Sequence, residues 1–367
     1  MKFKISREAL LKPLQLISGV VERKQTLPIL ANVLLRIDGD KLVLMGTDLE
    51  VELQGIAALE SVDEAGETTV PARKLMDICK ALPEGVVLQF SQTASRVTIS
   101  AGKSRFTLSF LPTDEFPYQT RPAELVSMSL SQAVLRELID RVYFSMANQD
   151  VRYYLNGLLV EMRDKELRCV ATNGHRMAMS REESPAAVDN VQQAIIPRKG
   201  VLELLRLLQD TDEPIQLQFG QNHLQATGED FVFYTKLIDG RFPDYERVIP
   251  KGGDKEVVFN RKTLKEALAR VAILSNEKYH GVALHLRTGS ATLVANNPDQ
   301  EEAEEVMAID YDGVDLEMGF NVTYLLEALN SIPVDDVKFT LLDANHSTLI
   351  EGIGDGQNLY VVMPMRL

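Results

Sequence analysis

The sequence has no tryptophan, two cysteines, five histidines and an aromatic content of only 6% over 367 residues. Two cysteines cannot build a disulfide framework. Cys79 and Cys169 sit inside apolar runs without metal-ligand spacing, so both are expected to be buried thiols of a cytoplasmic protein. His175, His223, His280, His285 and His346 are scattered, which leaves no zinc pattern and no metal assignment. No apolar run approaches the ~20 residues that span a bilayer, and no membrane partner is expected. The opening Met1-Lys2-Phe3-Lys4-Ile5-Ser6 lacks the apolar stretch of a signal peptide. A Gly-rich phosphate loop ending in Lys-Ser or Lys-Thr is also missing. His175, flanked by Gly174 and Arg176, has no evident partner for proton transfer. These absences argue against an enzyme, and no catalytic residue or cofactor is assigned.

What the chain has in excess is negative charge, with 53 acidic residues against 39 basic ones and a net charge of -14. Taken alone, that balance disfavours nucleic acid, because duplex binding rests on neutralising phosphates. The distribution of charge matters more than its sum, and it follows from an internal repeat.

A chain this long usually divides into two or three domains. Three times a short apolar strand ends at a small polar residue and opens an amphipathic helix. Ile5-Ser6 leads to Leu10, Leu14 and Ile17; Leu130-Ser131 to Leu135, Leu138, Ile139 and Val142; Phe259-Asn260 to Leu264, Ala267, Leu268 and Val271. Ser6, Ser131 and Asn260 suit an N-cap, where a side-chain oxygen accepts an orphan backbone N–H. A second helix recurs after Val70-Pro71, Ile196-Pro197 and Phe320-Asn321, with apolar residues at i, i+3, i+4 and i+7. Alternating segments such as Leu42–Thr47, Leu167–Thr172 and Ala291–Asn296 lie between the two helices as strands. The expected fold class is therefore α+β: three topologically similar domains, 1-120, 121-248 and 249-367, each with two helices packed on antiparallel sheets. Boundaries fall where Pro, Gly and polar residues cluster, near Pro117–Pro122 and Pro243–Gly253.

Helices are expected over 6-18, 72-82, 131-148, 198-209, 260-275 and 322-331. They carry fourteen Lys and Arg, including Arg7, Arg141, Arg206 and Arg261, against seven Asp and Glu. That excess of seven leaves the rest of the chain at -21, given the total of -14. With apolar faces on the sheets, the helix cations are expected to face outward as one basic layer in an acidic frame. Such a surface suits a polyanion held in one place and repelled elsewhere.

Longer segments resemble a known family. They include Thr26-Leu27-Pro28-Ile29-Leu30, Gly46-Thr47-Asp48-Leu49-Glu50, Val70-Pro71-Ala72-Arg73-Lys74, Gln149 to Gly157, and Thr172-Asn173-Gly174-His175-Arg176. Further on are Pro197-Arg198-Lys199-Gly200, Asp239 to Tyr245, Leu274 to Lys278, and Val361 to Leu367. Along its whole length the chain resembles the bacterial DNA sliding clamps, the beta subunits of DNA polymerase III. The resemblance implies a head-to-tail homodimer whose six domains form a ring on double-stranded DNA, without sequence specificity. It implies partners held through short, mostly hydrophobic peptide motifs: the DNA polymerase III catalytic subunit, the clamp loader, other replicative and repair polymerases, mismatch-repair proteins and ligase.

Candidate site residues fall into three groups; the resemblance itself carries Lys24, Gln149, Tyr153 and Tyr154 to DNA, together with the pocket positions and the apolar dimer positions. Arg23, Lys24, Arg73, Lys74, Lys80, Gln149, Tyr153, Tyr154, Arg198 and Lys199 are expected near DNA, with Lys24 standing where many relatives carry Arg. Leu155, Thr172, Gly174, His175, Arg176, Met177, Pro243, Arg247, Val248, Asn321, Tyr324, Ser347, Val361, Val362, Met363, Pro364, Met365 and Arg366 are expected to form the peptide pocket. There flexible Met side chains adapt to apolar clients, Gly174 admits a peptide backbone, and Arg176 and Arg247 supply polar fixation at the rim. Asn173 and Asn345 depart from the family pattern, which commonly has Asp and an apolar residue there. Phe106, Ile273 and Leu274 are the expected apolar part of the dimer contact, and Lys74, Arg96, Lys103 and Arg105 are expected to face Glu301, Glu302, Glu304 and Glu305. Two other readings stay open on residues alone: an interaction scaffold that does not bind DNA, and a metal-dependent nuclease using the acidic run.

Overall fold

The computed structural model describes residues 1–21, 27–118 and 126–366. Arg23 and Lys24 lie outside the described residues, as does most of the first expected domain boundary. One motif recurs through the chain: a strand, a helix, then antiparallel strands. The helices are α1 (Arg7–Ile17), α2 (Ala72–Ala81), α3 (Gln132–Asp140), α4 (Arg198–Leu207), α5 (Arg261–Val271) and α6 (Val322–Ser331). In the first domain, strands Asn32–Asp38, Lys41–Thr47 and Val51–Ala58 follow α1, and Val87–Gln92, Val97–Ala101 and Ser104–Leu108 follow α2. After α3 the strands fuse into two long ones, Gly157–Thr172 and Arg176–Pro197.

Helix starts agree with their local chemistry. The Ser6 hydroxyl accepts from the Ala9 N–H at 3.2 Å, and the Asn260 side chain accepts from Thr263 N–H at 3.1 Å. Asn321 does the same for Thr323 and Tyr324, at 2.9 and 3.3 Å. The end of α3 differs from the sequence expectation of 148. It stops at Asp140, and a 3-10 turn covers Tyr143–Ser145. Tyr143, Phe144 and Met146 continue an apolar spacing, but long-range packing claims them: Phe144 stacks on Tyr360 with ring centroids 6.2 Å apart.

Four of the fourteen helix cations in the expected basic layer donate to backbone carbonyls at helix ends. Arg7 donates through Nε to Cys79 O at 2.7 Å, near the end of α2. Arg206 donates to Leu16 O at 2.5 Å, at the end of α1. Arg261 reaches Leu329 O at 3.3 Å and Val334 O at 2.7 Å, and Arg141 donates to Ser331 O, all at or just past the end of α6. The last carbonyls of a helix lack intrahelical donors and carry partial negative charge, so they attract guanidinium groups. These four arginines serve the helix layer itself.

The described strands form four antiparallel sheets of five, eight, six and four strands. The chain packs as two compact units, Met1–Ala133 with Leu202–Leu237, and Val134–Val201 with Ile238–Leu367. Two units arise from three repeats because sheets run across the expected boundaries. In the first unit Val51–Ala58 pairs with Phe231–Lys236, from Phe231 opposite Gly55 to Thr235 opposite Val51. In the second, Arg176–Ser180 pairs with Asn358–Val362, placing Met177 opposite Val361. Each join links the last strand of one motif to the last strand of another. Cys79 and Cys169 are both buried and unpaired, and burial pushes each thiol up to about 12.

Candidate functional site

The second unit brings most of the predicted pocket residues together. Its centre is the turn between the two long strands. Asn173 Oδ1 accepts from the His175 and Arg176 N–H groups at 2.9 and 3.1 Å, and Thr172 Oγ1 accepts from Gly174 N–H at 3.1 Å. Gly174 takes φ +87°, a conformation that side chains disfavour. Asn173 keeps the acceptor role an Asp would play, and its amide also donates to Tyr324 OH at 3.2 Å, which an ionised Asp cannot do.

Strand alternation then sorts the predicted residues by face. Met177, Met179 and Val361 join Leu159, Val170, Ile195, Phe242 and Tyr245 in one buried apolar cluster. Leu155 is buried too. Arg176 and Val362, opposite each other in register, point to the other face. The placement of Arg176 corrects the expectation of a rim residue. It is 9% exposed, its guanidinium lies over Tyr324 at 4.4 Å and over Phe144 at 5.1 Å, and it donates to Glu327 and to Phe144 O. Such a group organises the site from beneath. Arg247 is the exposed one, paired with Asp244 at 2.8 Å.

A cavity of about 420 Å³ opens beside this cluster, lined by Arg247, Val248, Ile249, Pro250, Lys251, Gly253, Thr340, Leu342, His346 and Ser347. Sequence reasoning named Arg247, Val248 and Ser347 and missed the others. Thr340 and Leu342 belong to a strand end almost a hundred residues away, and nothing in their local pattern marks them. Asn345 is exposed and turns back on Asp343, whose carboxylate accepts its N–H at 2.8 Å. His346 Nδ1 stands 2.8 Å from the same oxygen, and this contact holds the Asp343 carboxyl below its usual range. The final segment is strapped down by its backbone: Met363 N–H donates to His175 O at 2.9 Å, and Met365 N–H to Gly319 O at 2.8 Å. That leaves the Met363 side chain 39% exposed, with Pro364 and Met365 half-buried and Arg366 exposed. Pro243 is half-buried. Asn321 caps α6 and donates to the backbone carbonyl of Tyr279 at 3.3 Å, and Tyr279 itself is 55% exposed. Tyr279 is a second candidate missed in the sequence; its only signal was an aromatic inside a polar loop.

Behind the cavity lies a polar network. Tyr245 OH donates to the fully buried Glu161 at 2.7 Å and accepts from Arg168 at 3.1 Å. Burial, reinforced by Glu161, pushes the Tyr245 phenol up to about 12.

The residues assigned to DNA fall on loops and helix starts. Gln149 takes φ +57° and is exposed, as is Tyr153; Tyr154 is half-buried and meets Tyr153 edge-on at 5.8 Å. Asp150 accepts from Arg152 N, Nε and Nη2 at 2.8, 3.0 and 2.9 Å. The Arg152 side chain, then its backbone N–H, lower the Asp150 carboxyl to about 2. Arg152 also donates to Asn173 O at 3.2 Å, linking this loop to the turn at the pocket. Arg73 and Lys74 are exposed in the first turn of α2, and Lys80 is exposed in its last. Arg198 and Lys199 open α4 and are half-exposed. Cations in a first turn oppose the helix dipole by ~0.3–1 kcal/mol each.

Of the residues assigned to the dimer contact, Arg105, Phe106, Glu302, Glu304 and Glu305 lie on two strands that have one neighbour each among the described residues. On Ser104–Leu108, Arg105 is exposed and Phe106 half-buried, with Arg96 and Lys103 exposed nearby. On Glu302–Ala308, Glu302, Glu304 and Val306 are exposed, and Val306 was not anticipated. Ile273 is 78% exposed and Leu274 half-buried. Two members of the acidic run already have partners in the chain. Arg270 binds Glu305 at 2.5 and 3.0 Å, and Asn297 binds Glu301 at 2.7 Å.

Among the described residues no cluster of three or more His, Cys, Asp and Glu could hold a metal ion. No helix there is long and apolar enough to cross a membrane.

Comparison with known proteins identifies the arrangement. Three family models match in order: DNA polymerase III beta subunit, N-terminal domain, over residues 1–120; central domain, over 129–244; and C-terminal domain, over 246–366. The beta sliding clamp of Pseudomonas putida is 53% identical, with all of both chains covered. The crystal structure of the DNA polymerase III subunit beta from Pseudomonas aeruginosa superposes with a TM-score of 0.98 at 53% identity, covering 100% of both chains. A second structure from that organism, bound to griselimycin, gives 0.96 at the same identity and coverage. The chain belongs to the DNA polymerase III beta subunit family, the sliding clamps, which are non-catalytic processivity factors of DNA replication.

Proposed function

We propose that two copies join head to tail into a ring that encircles duplex DNA, and that the second unit's pocket tethers replication proteins to it by short apolar peptides. The observation that carries this is the fate of the motif-ending strands. Four of six are paired within the chain, as Val51–Ala58 with Phe231–Lys236 and Arg176–Pro197 with Asn358–Val362. The remaining two, Ser104–Leu108 and Glu302–Ala308, keep an open edge among the described residues. An open edge is a template for another strand. One is flanked by Arg96, Lys103 and Arg105, and the other carries the exposed Glu302 and Glu304. Complementary charge favours joining unlike edges, which is a head-to-tail contact that closes with rotation. Phe106 and Leu274 would bury the exposed Ile273 there.

On this reading the domains are 1-120, 121-248 and 249-367, and the chain works in the cytoplasm. Arg73, Lys74, Lys80, Gln149, Tyr153, Tyr154, Arg198 and Lys199, with Arg23 and Lys24, touch DNA. Phosphate contacts position a protein without reading sequence, so retention comes from topology and sliding stays unhindered. The exposed Met363 and the 420 Å³ cavity, backed by the buried cluster that holds Met177 and Val361, form the client site. Its clients are the polymerase III catalytic subunit, the clamp loader, other polymerases, mismatch-repair proteins and ligase.

The test is retention on nicked circular DNA after loading, followed by linearisation. Protein that stays on circles at moderate salt and leaves only after cutting encircles DNA. Equal retention on circular and linear DNA would mean direct grip and would end the ring reading.

A further inference from the structure

The segment Asp244–Lys251 stands between two cavities. On one side is the 420 Å³ pocket described above. On the other is a cavity of about 320 Å³, bordered by Arg168, Met179, Tyr245, Glu246 and Leu359. Ile249 and Lys251 line both. Tyr245 belongs to the buried apolar cluster and Val248 and Ile249 pack against it, but apolar contact is non-directional and does not by itself fix where the wall stands. Something else has to hold it.

Polar bonds do. Tyr245 is 4% exposed, and its hydroxyl donates to Glu161, whose side chain is fully buried. The second oxygen of that carboxylate accepts from Gln193 at 2.5 Å. The next residue, Glu246, accepts from Arg163 at 2.9 Å and from Arg168 at 3.0 Å. These bonds run to the long strands behind the segment, whereas Arg247 and Val248 face the pocket in front.

We infer that the Tyr245–Glu161 hydrogen bond, braced by Arg168, is a bolt that sets the position of the pocket wall and thereby the tightness of client binding. Tyr245 and Glu161 touch no client; they are positioning residues. The inference rests on the reading that the 420 Å³ cavity takes client peptides. A buried hydroxyl–carboxylate bond is stronger than a neutral one, and its geometry is narrow. When the bolt is absent the wall relaxes into the rear cavity, and a bound peptide loses contacts after it has docked. The effect therefore falls on dissociation more than on association.

The test uses fluorescein-labelled griselimycin on the full-length dimer, with rates read by stopped-flow polarisation. Tyr245→Phe removes one oxygen and is expected to raise the dissociation rate about five- to twentyfold, with association within about twofold. Glu161→Gln keeps an acceptor for Tyr245, because Gln193 can rotate its amide to match, so near-wild-type rates are expected. Glu161→Leu should behave like Tyr245→Phe, and the double variant should be no worse than either. Arg168→Met, altered on a partly exposed side chain, gives a weaker effect of the same kind and serves if Tyr245→Phe folds poorly. Retention on nicked circles should be unchanged in all of them. Val248→Ala, a direct wall contact, is the reference. If it weakens griselimycin while Tyr245→Phe and Arg168→Met leave both rates unchanged, the bolt is overturned. If Val248→Ala also leaves binding unchanged, the cavity is not the peptide site, and the inference falls with that reading.

Discussion

Two joins in this chain use the same device and end with opposite surfaces. In the first unit the strand Val51–Ala58 meets Phe231–Lys236; in the second, Arg176–Ser180 meets Asn358–Val362. Each presents one face to a helix. Gly55 packs so tightly on α1 that a Cβ there would stand 2.5 Å from Pro13 Cβ, and Arg176 reaches α6 through Tyr324 and Glu327. The alternate residues face away from those helices. At the first join they include Glu52 and Gln54, with the Gln54 amide donating to Glu52 at 2.9 Å and Tyr234 opposite Glu52 in register. At the second they are Met177, Met179, Leu359 and Val361. Backbone pairing is indifferent to this choice. On the proposed reading, a sheet join backs a binding site when its alternate positions are apolar and adaptable, and is a structural seam when the same positions satisfy one another by hydrogen bonds.

The largest expected effect tests the second join. Met177→Ala should destabilise the protein by about 2–5 kcal/mol in urea unfolding and weaken griselimycin at least about tenfold. Gln54→Ala at the first join should leave griselimycin affinity unchanged. Equal losses from both would erase the contrast. Next comes Gly55→Ala, which forces α1 from its sheet. A loss of about 1–3 kcal/mol is expected, with ligand binding intact, so stability and binding separate in the same two assays. Gly174→Ala should cost about 1–2 kcal/mol, because φ is +87° and the new Cβ would lie 2.8 Å from Arg152 Nη1. Unlike Gly55→Ala, it should also weaken griselimycin several-fold, since the turn holds the Met363 segment through His175 O.

The smallest effect concerns pH. Asp150 is held at about 2, below the ordinary 3.8, by the Arg152 side chain and N–H. A depressed carboxyl contributes stability above its unfolded value and loses it as pH falls through the folded one. The loop Gln149–Tyr154 should therefore keep this contribution at pH 5 and lose it between about 4 and 2. An NMR titration of the Asp150 carboxyl checks it, and an ordinary midpoint near 3.8 would mean that the Arg152 contact is not formed in solution.

Much of this was legible in the sequence because it is local. N-cap residues and 3.6-residue periodicity located all six helices, and strict alternation located the main strands. What stayed hidden depends on partners far along the chain. Periodicity cannot tell that Arg7, Arg141, Arg206 and Arg261 turn toward helix ends, since a charged residue on an amphipathic helix reads as solvated. It carried α3 past Asp140 because Phe144 fits the helical spacing equally well as a stacking partner of Tyr360. The pocket residues came from resemblance, not from pattern. Even then Arg176 and Met177 were grouped together, although adjacent strand residues point to opposite faces. Thr340, Leu342 and the Tyr245–Glu161 pair had no local signal.

The helix-end arginines have a mechanical consequence. Arg206 ties α4 to the end of α1, and Arg141 ties the end of α3 to the end of α6, so each internal seam is stitched in two layers, strand to strand and helix to helix. Arg270, which holds the third domain's helix to its own strand through Glu305, is spent within its domain. Under load, a body riveted twice moves as a block, while a seam held by one row of stitches parts first. In the proposed ring, which must be unclasped and refastened around a molecule without free ends, these intrachain ties leave the seam between subunits as the hinge line, where opening keeps every domain whole.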